Sequence, residues 1–261
     1  MPTPAPLSPS AVVSALRAAG CVFAEDEAEL ILATARTPGD AAAMVDRRVA
    51  GLPLEHVLGW AGFHGLRIAV EPGVFVPRRR TEFLVDQALA AAPHATVVVD
   101  LCCGSGALGA ALAAALDGAE VHAADIDQAA VRCARRNLAA FGGRAYRGDL
   151  FDALPTGLRG RVDVLTANVP YVPTAEVPLL PAEARDHEPL VALDGGADGL
   201  DVLRRVAAGA PRWLVPGGCL LTETGAHQAP AAVRICRDAG LTTRLAVSEE
   251  RYAHVVIGVA E

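Results

Sequence analysis

Over the last two thirds of the chain, short continuous apolar runs alternate with longer amphipathic stretches. TVVVDLCC (96–103), EVHAADID (120–127), RAYRGDLF (144–151), RVDVLTANVPYVP (161–173) and GGCLLTETG (217–225) read as buried strands with their exit loops. Between them, 81–92, 104–116, 128–141, 198–214 and 231–240 carry the period of amphipathic helices. Strands and helices in strict alternation predict a doubly wound, mostly parallel α/β sheet. LTTRLAVSE (241–249) and YAHVVIGVA (252–260) succeed one another with no helix between them. They predict an antiparallel hairpin at one sheet edge and bring the expected strand count to seven.

The first third of the chain is patterned differently. Ser8-Pro9 is an N-cap and first-turn pair, and Gly20 stands where that helix should end. EDEAELILATA (25–35) places acids in a first turn, and PGDAAAMVDRRVAG (38–51) places arginines near a last turn. Three short helices are too few for a robust independent core, so they should pack on the remainder of the chain. FHGLRIAVEPGVFVP (63–77) alternates apolar and polar positions around Glu71-Pro72-Gly73, predicting a β-hairpin that turns there. The expected organisation is a helical domain over 1–59, a hairpin linker over 60–81 and the α/β domain over 82–261. Residues 172–198, rich in proline and acids, read as a loop that covers something.

Composition narrows the partners. With 52% hydrophobic and 20% charged residues in 261, the chain has material for a large core and none of the signature of disorder. No apolar run approaches the ~18 residues of a membrane span. MPTPAPLSPS lacks the basic and apolar regions of a signal peptide, so a cytoplasmic protein is expected. Lys+Arg number 23 against 30 Asp+Glu, a net charge of −7. That balance weighs against stable nucleic-acid binding, where phosphate neutralisation supplies much of the affinity. The 6 cysteines form no C-x-x-C pair and no histidines cluster at ligand spacing, so no metal is expected.

The chemistry concentrates at strand exits. Gly104-Ser105-Gly106-Ala107-Leu108-Gly109 is a G-x-G-x-x-G between a strand and a helix, and Asp125 stands about 20 residues further on. The pattern marks a nucleoside-bearing cofactor, its backbone approached through the glycines and its ribose held by Asp125. Asp100, at the end of the preceding strand, would repel the pyrophosphate of a nicotinamide cofactor. It would attract the sulfonium and ammonium of S-adenosylmethionine. The methyl donor is therefore the favoured reading and the nicotinamide cofactor its alternative. Cys102 occupies a place where many such loops have glycine and reads as a small apolar residue beneath the loop. Asp149, after the third strand, is placed to accept from an adenine amino group, with Leu150 and Phe151 packed nearby.

Asn168-Val169-Pro170-Tyr171 comes after the fourth strand, at the carboxyl edge where open sheets bind ligands. An amide oxygen and the Val169 carbonyl offer two acceptors for one N–H₂ group, and Tyr171 offers a flat surface. That set suits a planar nitrogen nucleophile, a carboxamide or an exocyclic amine, which must be oriented more than deprotonated. Arg78, Arg79 and Arg80 read as a solvated linker.

On these residues the chain resembles the protein-(glutamine-N5) methyltransferases of the HemK type, over nearly its whole length. Pro53-Leu54-Glu55-His56-Val57-Leu58-Gly59 with Phe63-His64-Gly65-Leu66 is similar to that family's interdomain stretch. Pro77-Arg78-Arg79-Arg80-Thr81-Glu82, Glu188-Pro189, Ala192-Leu193-Asp194-Gly195-Gly196, Asp198-Gly199-Leu200 and Glu223-x-Gly225-x-x-Gln228 resemble its further blocks in order. The resemblance implies a Rossmann-like class I S-adenosylmethionine-dependent methyltransferase with a small N-terminal helical domain that grips a protein substrate. It implies methylation of a glutamine in a Gly-Gly-Gln loop of a peptide-chain release factor, leaving S-adenosylhomocysteine; a monomer is expected. The catalytic set is then Asn168, Val169, Pro170 and Tyr171. The cofactor set is Asp100, Cys102, Gly104, Gly106, Asp125, Ile126, Asp149, Leu150 and Asn168. The family has Asn-Pro-Pro-Tyr where this chain has Val169, and usually glycine at Cys102, departures that point to a related subgroup. An N-methyltransferase acting on a nucleic-acid base and a non-catalytic cofactor-binding adaptor are the competing readings.

Overall fold

The computed structural model describes residues 8–261; the expectation of no signal peptide concerns a stretch that begins outside them, at 1–7. Four helices open the fold: α1 (Pro9–Ala18), α2 (Ala24–Thr34), α3 (Pro38–Val49) and the short α4 (Leu54–Leu58). Ser8 caps α1 by accepting from the Ala11 N–H, and Thr37 caps α3 by accepting from Asp40 N–H, each with proline next to it at the first helical position. Their apolar stripes meet in a small core of Val12, Leu16, Ala28, Ile31 and Val45. Inside it, Arg48 donates to Glu27 from Nε at 2.6 Å and from Nη2 at 3.2 Å. The apolar pattern gives no sign of α4; Pro53 fixes its start and Gly59, at φ 79°, its end. His56, buried and held neutral by desolvation, donates from Nε2 to the Val74 carbonyl at 2.8 Å.

The hairpin is present but turns elsewhere than expected. Strands β1 (Trp60–Phe63) and β2 (Leu66–Ala69) pair antiparallel across His64-Gly65. Both turn residues have positive φ, 47° and 75°, as a two-residue turn matched to strand twist requires. Glu71-Pro72-Gly73 turns the chain after the hairpin instead, and 70–78 continues as irregular linker.

The α/β unit keeps the predicted order: α5 (Glu82–Ala91), β3 (Val97–Leu101), α6 (Ala107–Ala115), β4 (Glu120–Asp125), α7 (Gln128–Leu138), β5 (Arg144–Arg147) and β6 (Val162–Ala167). An excursion containing α8 (Ala182–His187) precedes α9 (Asp201–Gly209), β7 (Leu214–Thr224), α10 (Ala229–Asp238), β8 (Thr242–Ser248) and β9 (Ala253–Val259). The strands form one 7-stranded sheet in the order β5-β4-β3-β6-β7-β9-β8. Pairing is parallel except around β9, which runs antiparallel between β7 and β8. Apolar layers cover both faces. One joins α5, α6, α7 and the hairpin residues Phe63 and Ile68; the other joins α9, α10 and Trp213. Strand order reverses between β3 and β6, so the loops leaving them part at their carboxyl ends and open a crevice there. Among the described residues no helix is long and apolar enough to cross a membrane.

Candidate active site

A cavity of about 510 Å³ fills that crevice. Its walls come from the loop after β3 (Cys102–Ser105), the exits of β4 (Asp125, Ile126) and β5 (Asp149, Leu150), the loop after β6 (Asn168–Val172), the linker and the excursion after β6. All four predicted catalytic positions line it. Of the predicted cofactor positions, Cys102, Gly104, Asp125, Ile126, Asp149, Leu150 and Asn168 line it, and Asp100 and Gly106 do not.

Those two exclusions correct the sequence reading. Asp100 is fully buried beneath the loop, where Oδ2 accepts from the Gly109 N–H at 3.1 Å and Oδ1 from the Thr166 hydroxyl at 3.0 Å. It holds the start of α6 against β6 rather than facing a cation in the cavity. Gly106, at φ 77°, caps α6 against α7: a Cβ there would stand 2.9 Å from that of Ala134. Its glycine serves close helix packing.

Burial pushes the Asp100 carboxyl up to about 7, and the neighbouring Asp125 adds to the rise. A raised folded-state value means the protonated form stabilises the fold. That contribution is complete below the unfolded carboxylate value near 4 and is lost as pH rises through about 7. Between pH 6 and 8 the protein is expected to lose about 1 kcal/mol of stability from this group. Urea unfolding at both pH values checks it; an Asp100→Asn variant should show a flatter profile, and an equal slope in both proteins would refute the assignment.

Asp125 is held in the cavity by backbone donors, Gly104 N–H to Oδ2 and Asp127 N–H to Oδ1, both at 2.9 Å. Each oxygen keeps a further lone pair for a ribose hydroxyl. Ile126 beside it is 51% exposed, an apolar side chain left uncovered at the cavity wall. Gly104, at φ 52°, leaves the cavity side of the loop open, with only the Phe75 Cβ within 4.0 Å of where a side chain would begin. Cys102 takes a left-handed φ of 53°, the conformation that explains glycine's preference there. Desolvation and the nearby carboxylates Asp125 and Asp100 push its thiol up, so it is no nucleophile at neutral pH.

The three arginines lining the cavity are each held by a carboxylate. Arg78 meets Glu188 at 2.6 Å, Arg80 meets Glu223 at 2.8 Å and Arg205 meets Asp149 at 2.6 Å. The solvated-linker reading of Arg78 and Arg80 is thereby corrected. None of the three is left to neutralise a pyrophosphate, and the carboxylates of Asp125 and Asp127 share the same space. The residues present therefore fit a cationic, phosphate-free nucleoside cofactor better than a dinucleotide.

The wall formed by the loop after β6 is built around Tyr171. Its hydroxyl donates to Glu223 Oε1 at 2.9 Å and accepts from Arg80 Nη2 at 2.6 Å, while Thr81 donates to Glu223 Oε2 at 2.6 Å. Burial beside Glu223 pushes the phenol up to about 12, so it stays protonated and fixes the ring without acting as a base. Gln228 donates from Nε2 to the Tyr171 and Asp198 carbonyls at 2.8 and 2.9 Å. Gly195 and Gly199 lie flat against the same loop; a Cβ on Gly195 would sit 2.5 Å from the Pro170 carbonyl oxygen. The Asn168 Oδ1 atom is buried with no hydrogen-bond partner, and among the described residues no donor reaches the Val169 carbonyl. Both acceptors are thus unpartnered among the described residues, on a loop that lines the cavity. Sequence reasoning missed Phe75 and gave no role to Thr81, Glu188, Glu223 or Gln228. The signal for all four of the latter was their place in the resembling blocks.

Sheet order, crevice and loop chemistry together define a class I S-adenosylmethionine-dependent methyltransferase. A family model described as the Methyltransferase small domain matches residues 65–179. The chain is 42% identical over 201 residues to the release factor glutamine methyltransferase of Gloeobacter violaceus, covering 74% of this chain and 69% of that protein. It is 38% identical over 203 residues to a 4-amino-L-phenylalanine/4-methylamino-L-phenylalanine methyltransferase of Streptomyces pristinaespiralis, covering 75% and 69%. A methyltransferase structure from Pyrococcus furiosus superposes with a TM-score of 0.56 at 17% identity, covering 85% of this chain and 98% of that one. The chain spans about two thirds of the length of the curated relatives it matches. It belongs to the release factor glutamine methyltransferase family.

Proposed function

We propose that the protein transfers a methyl group from S-adenosylmethionine to the side-chain amide nitrogen of a glutamine in a protein, a peptide-chain release factor. The observation that carries this reading is the pair of unpartnered acceptors, Asn168 Oδ1 and Val169 O, on the cavity-lining loop after β6. A primary carboxamide has two N–H donors on one planar nitrogen, which two converging acceptors satisfy together. The bound cofactor would supply an electrophilic methyl group, held by Asp125 at the ribose and by the Gly104 loop. Asn168 and Val169 orient the amide nitrogen and stabilise positive charge as the N–C bond forms, the methyl's bond to sulfur breaks to leave S-adenosylhomocysteine, and the amide proton passes to water. Pro170 stiffens the loop, and Tyr171, locked by Arg80 and Glu223, fixes the wall of the slot. No group in the loop is needed as a strong base. Orientation set in advance of reaction is worth on the order of 7–11 kcal/mol.

Val169 replaces the family's proline without removing its carbonyl. The Streptomyces relative named for an aromatic amine gives a second reading. An arylamine is also a planar N–H₂ group and satisfies the same two acceptors. Methyl transfer from labelled S-adenosylmethionine to a release factor, to 4-amino-L-phenylalanine and to RNA separates the readings. Label in release factor, mapped to a glutamine, is the expected result; label confined to the amino acid or to RNA would overturn it.

A further inference from the structure

Between Pro173 and Leu193 the chain leaves the sheet and runs through two short 3-10 turns and α8. It has almost no apolar anchorage: from 173 to 192 the only buried residue is Glu188. Yet Leu180, Pro181, Ala184 and Val191 from this strap line the same cavity as the glycine loop. Among the described residues, its backbone hydrogen bonds from 176 to 192 are all local. Among the described residues, three polar links join this stretch to the rest of the molecule. Glu188 accepts from Arg78 at 2.6 Å and from the Val76 N–H at 3.1 Å, and Glu183 meets Arg48 Nη1 at 2.7 Å. All three partners lie in the N-terminal 81 residues rather than in the sheet that carries the strap.

The links differ in kind. The Glu188 side chain is 1% exposed and its anchor is sealed. Glu183 is 49% exposed, but its partner Arg48 is 9% exposed and immobilised by Glu27 and by the Leu52 carbonyl. A fixed cation on the helical bundle therefore holds a movable carboxylate on α8. The position of α8 sets the positions of Pro181 and Ala184, one turn of cavity wall.

We propose that Arg48 and Glu183 are positioning residues for the methyl acceptor. Their ion pair fixes the strap wall of the cavity, so the helical bundle sets acceptor affinity without touching the reacting atoms. The substrate half of this inference rests on the methyl-transfer reading above; the anchoring half does not. Glu183→Gln removes the charge from an exposed side chain and leaves no buried group unpaired, so folding is preserved. Glu176→Gln, on the same strap and with no ion-pair partner among the described residues, is the control.

Hydrogen exchange across 174–192 is expected to speed up at least about fivefold in Glu183→Gln, with the control and the helices α1–α3 unchanged. S-adenosylhomocysteine affinity should stay within about twofold. With the release factor as acceptor, KM should rise about fivefold while kcat holds, the signature of lost uniform binding. Unchanged exchange would overturn the anchor even if the protein transferred no methyl group to any acceptor. Faster exchange with KM unchanged, or a fall confined to kcat, would overturn the positioning role.

Discussion

Asn168→Ala is expected to lower kcat/KM by about 10²- to 10³-fold while S-adenosylhomocysteine affinity changes by less than about threefold. The magnitude is that of removing one preorganised polar partner of a developing charge. Three facts make the separation clean. Asn168 Oδ1 has no protein partner, so its loss leaves no buried donor unsatisfied. The loop is held in place by Gln228 at the Tyr171 carbonyl and by the Tyr171–Glu223–Arg80 network, neither of which involves the Asn168 side chain. The cofactor loop is held separately by Asp125. Steady-state kinetics with calorimetric titration of the product cofactor reads both quantities. A variant that keeps a tenth or more of its activity would remove Asn168 from the catalytic set.

Gly199→Ala is expected to cost about 3 kcal/mol or more of stability and to lower Tm by about 10 °C. Gly199 has a φ of 75°, and a methyl group there overlaps both the Tyr171 carbonyl oxygen and the Gln228 amide nitrogen. The variant therefore loses both in backbone conformation and in the bond that shapes the acceptor loop. Gly217→Ala isolates the first contribution: its φ is 80°, but nothing lies within 4 Å of the added atom. Thermal unfolding of the two should differ by about 5 °C or more, with acceptor turnover lost only in Gly199→Ala. Equal losses would mean that strain alone matters at both positions.

The strand–helix alternation was legible because buried parallel strands write themselves as apolar runs; each of the seven main-sheet strands overlaps a segment read as a strand, although β7 starts three residues earlier, at Leu214, inside the segment read as helix. The crevice was legible because its chemistry sits in local strings, the glycine loop after β3 and Asn168-Val169-Pro170-Tyr171 after β6. The hairpin turn was misplaced because Pro-Gly is a louder local signal than His64-Gly65, although His64 and Gly65 have the two positive φ values a tight hairpin needs. Asp100 was read by its charge at a strand end, but its side chain lies buried under the loop, accepting from Gly109 and Thr166. Arg78 and Arg80 were read as solvated because their glutamates lie 110 and 143 residues away. Pairings over such separations leave no periodicity. The strap after β6 was recognisable as a cover from its composition, and its anchors to Arg48 and Arg78 were not.

Those long-range pairs bear on how the molecule folds. The cavity is closed by contacts between the linker near residue 80 and carboxylates at 188 and 223, and β3 pairs with β6 across more than sixty residues. High sequence separation makes such contacts late and slow to form, because loop-closure entropy must be met before they contribute. The helical bundle, whose contacts are local, can form early, but the binding crevice exists only once both ends of the sheet have met across the linker. Regain of cofactor binding during refolding should therefore coincide with the slowest phase of sheet formation, making ligand occupancy a direct report of the completed fold.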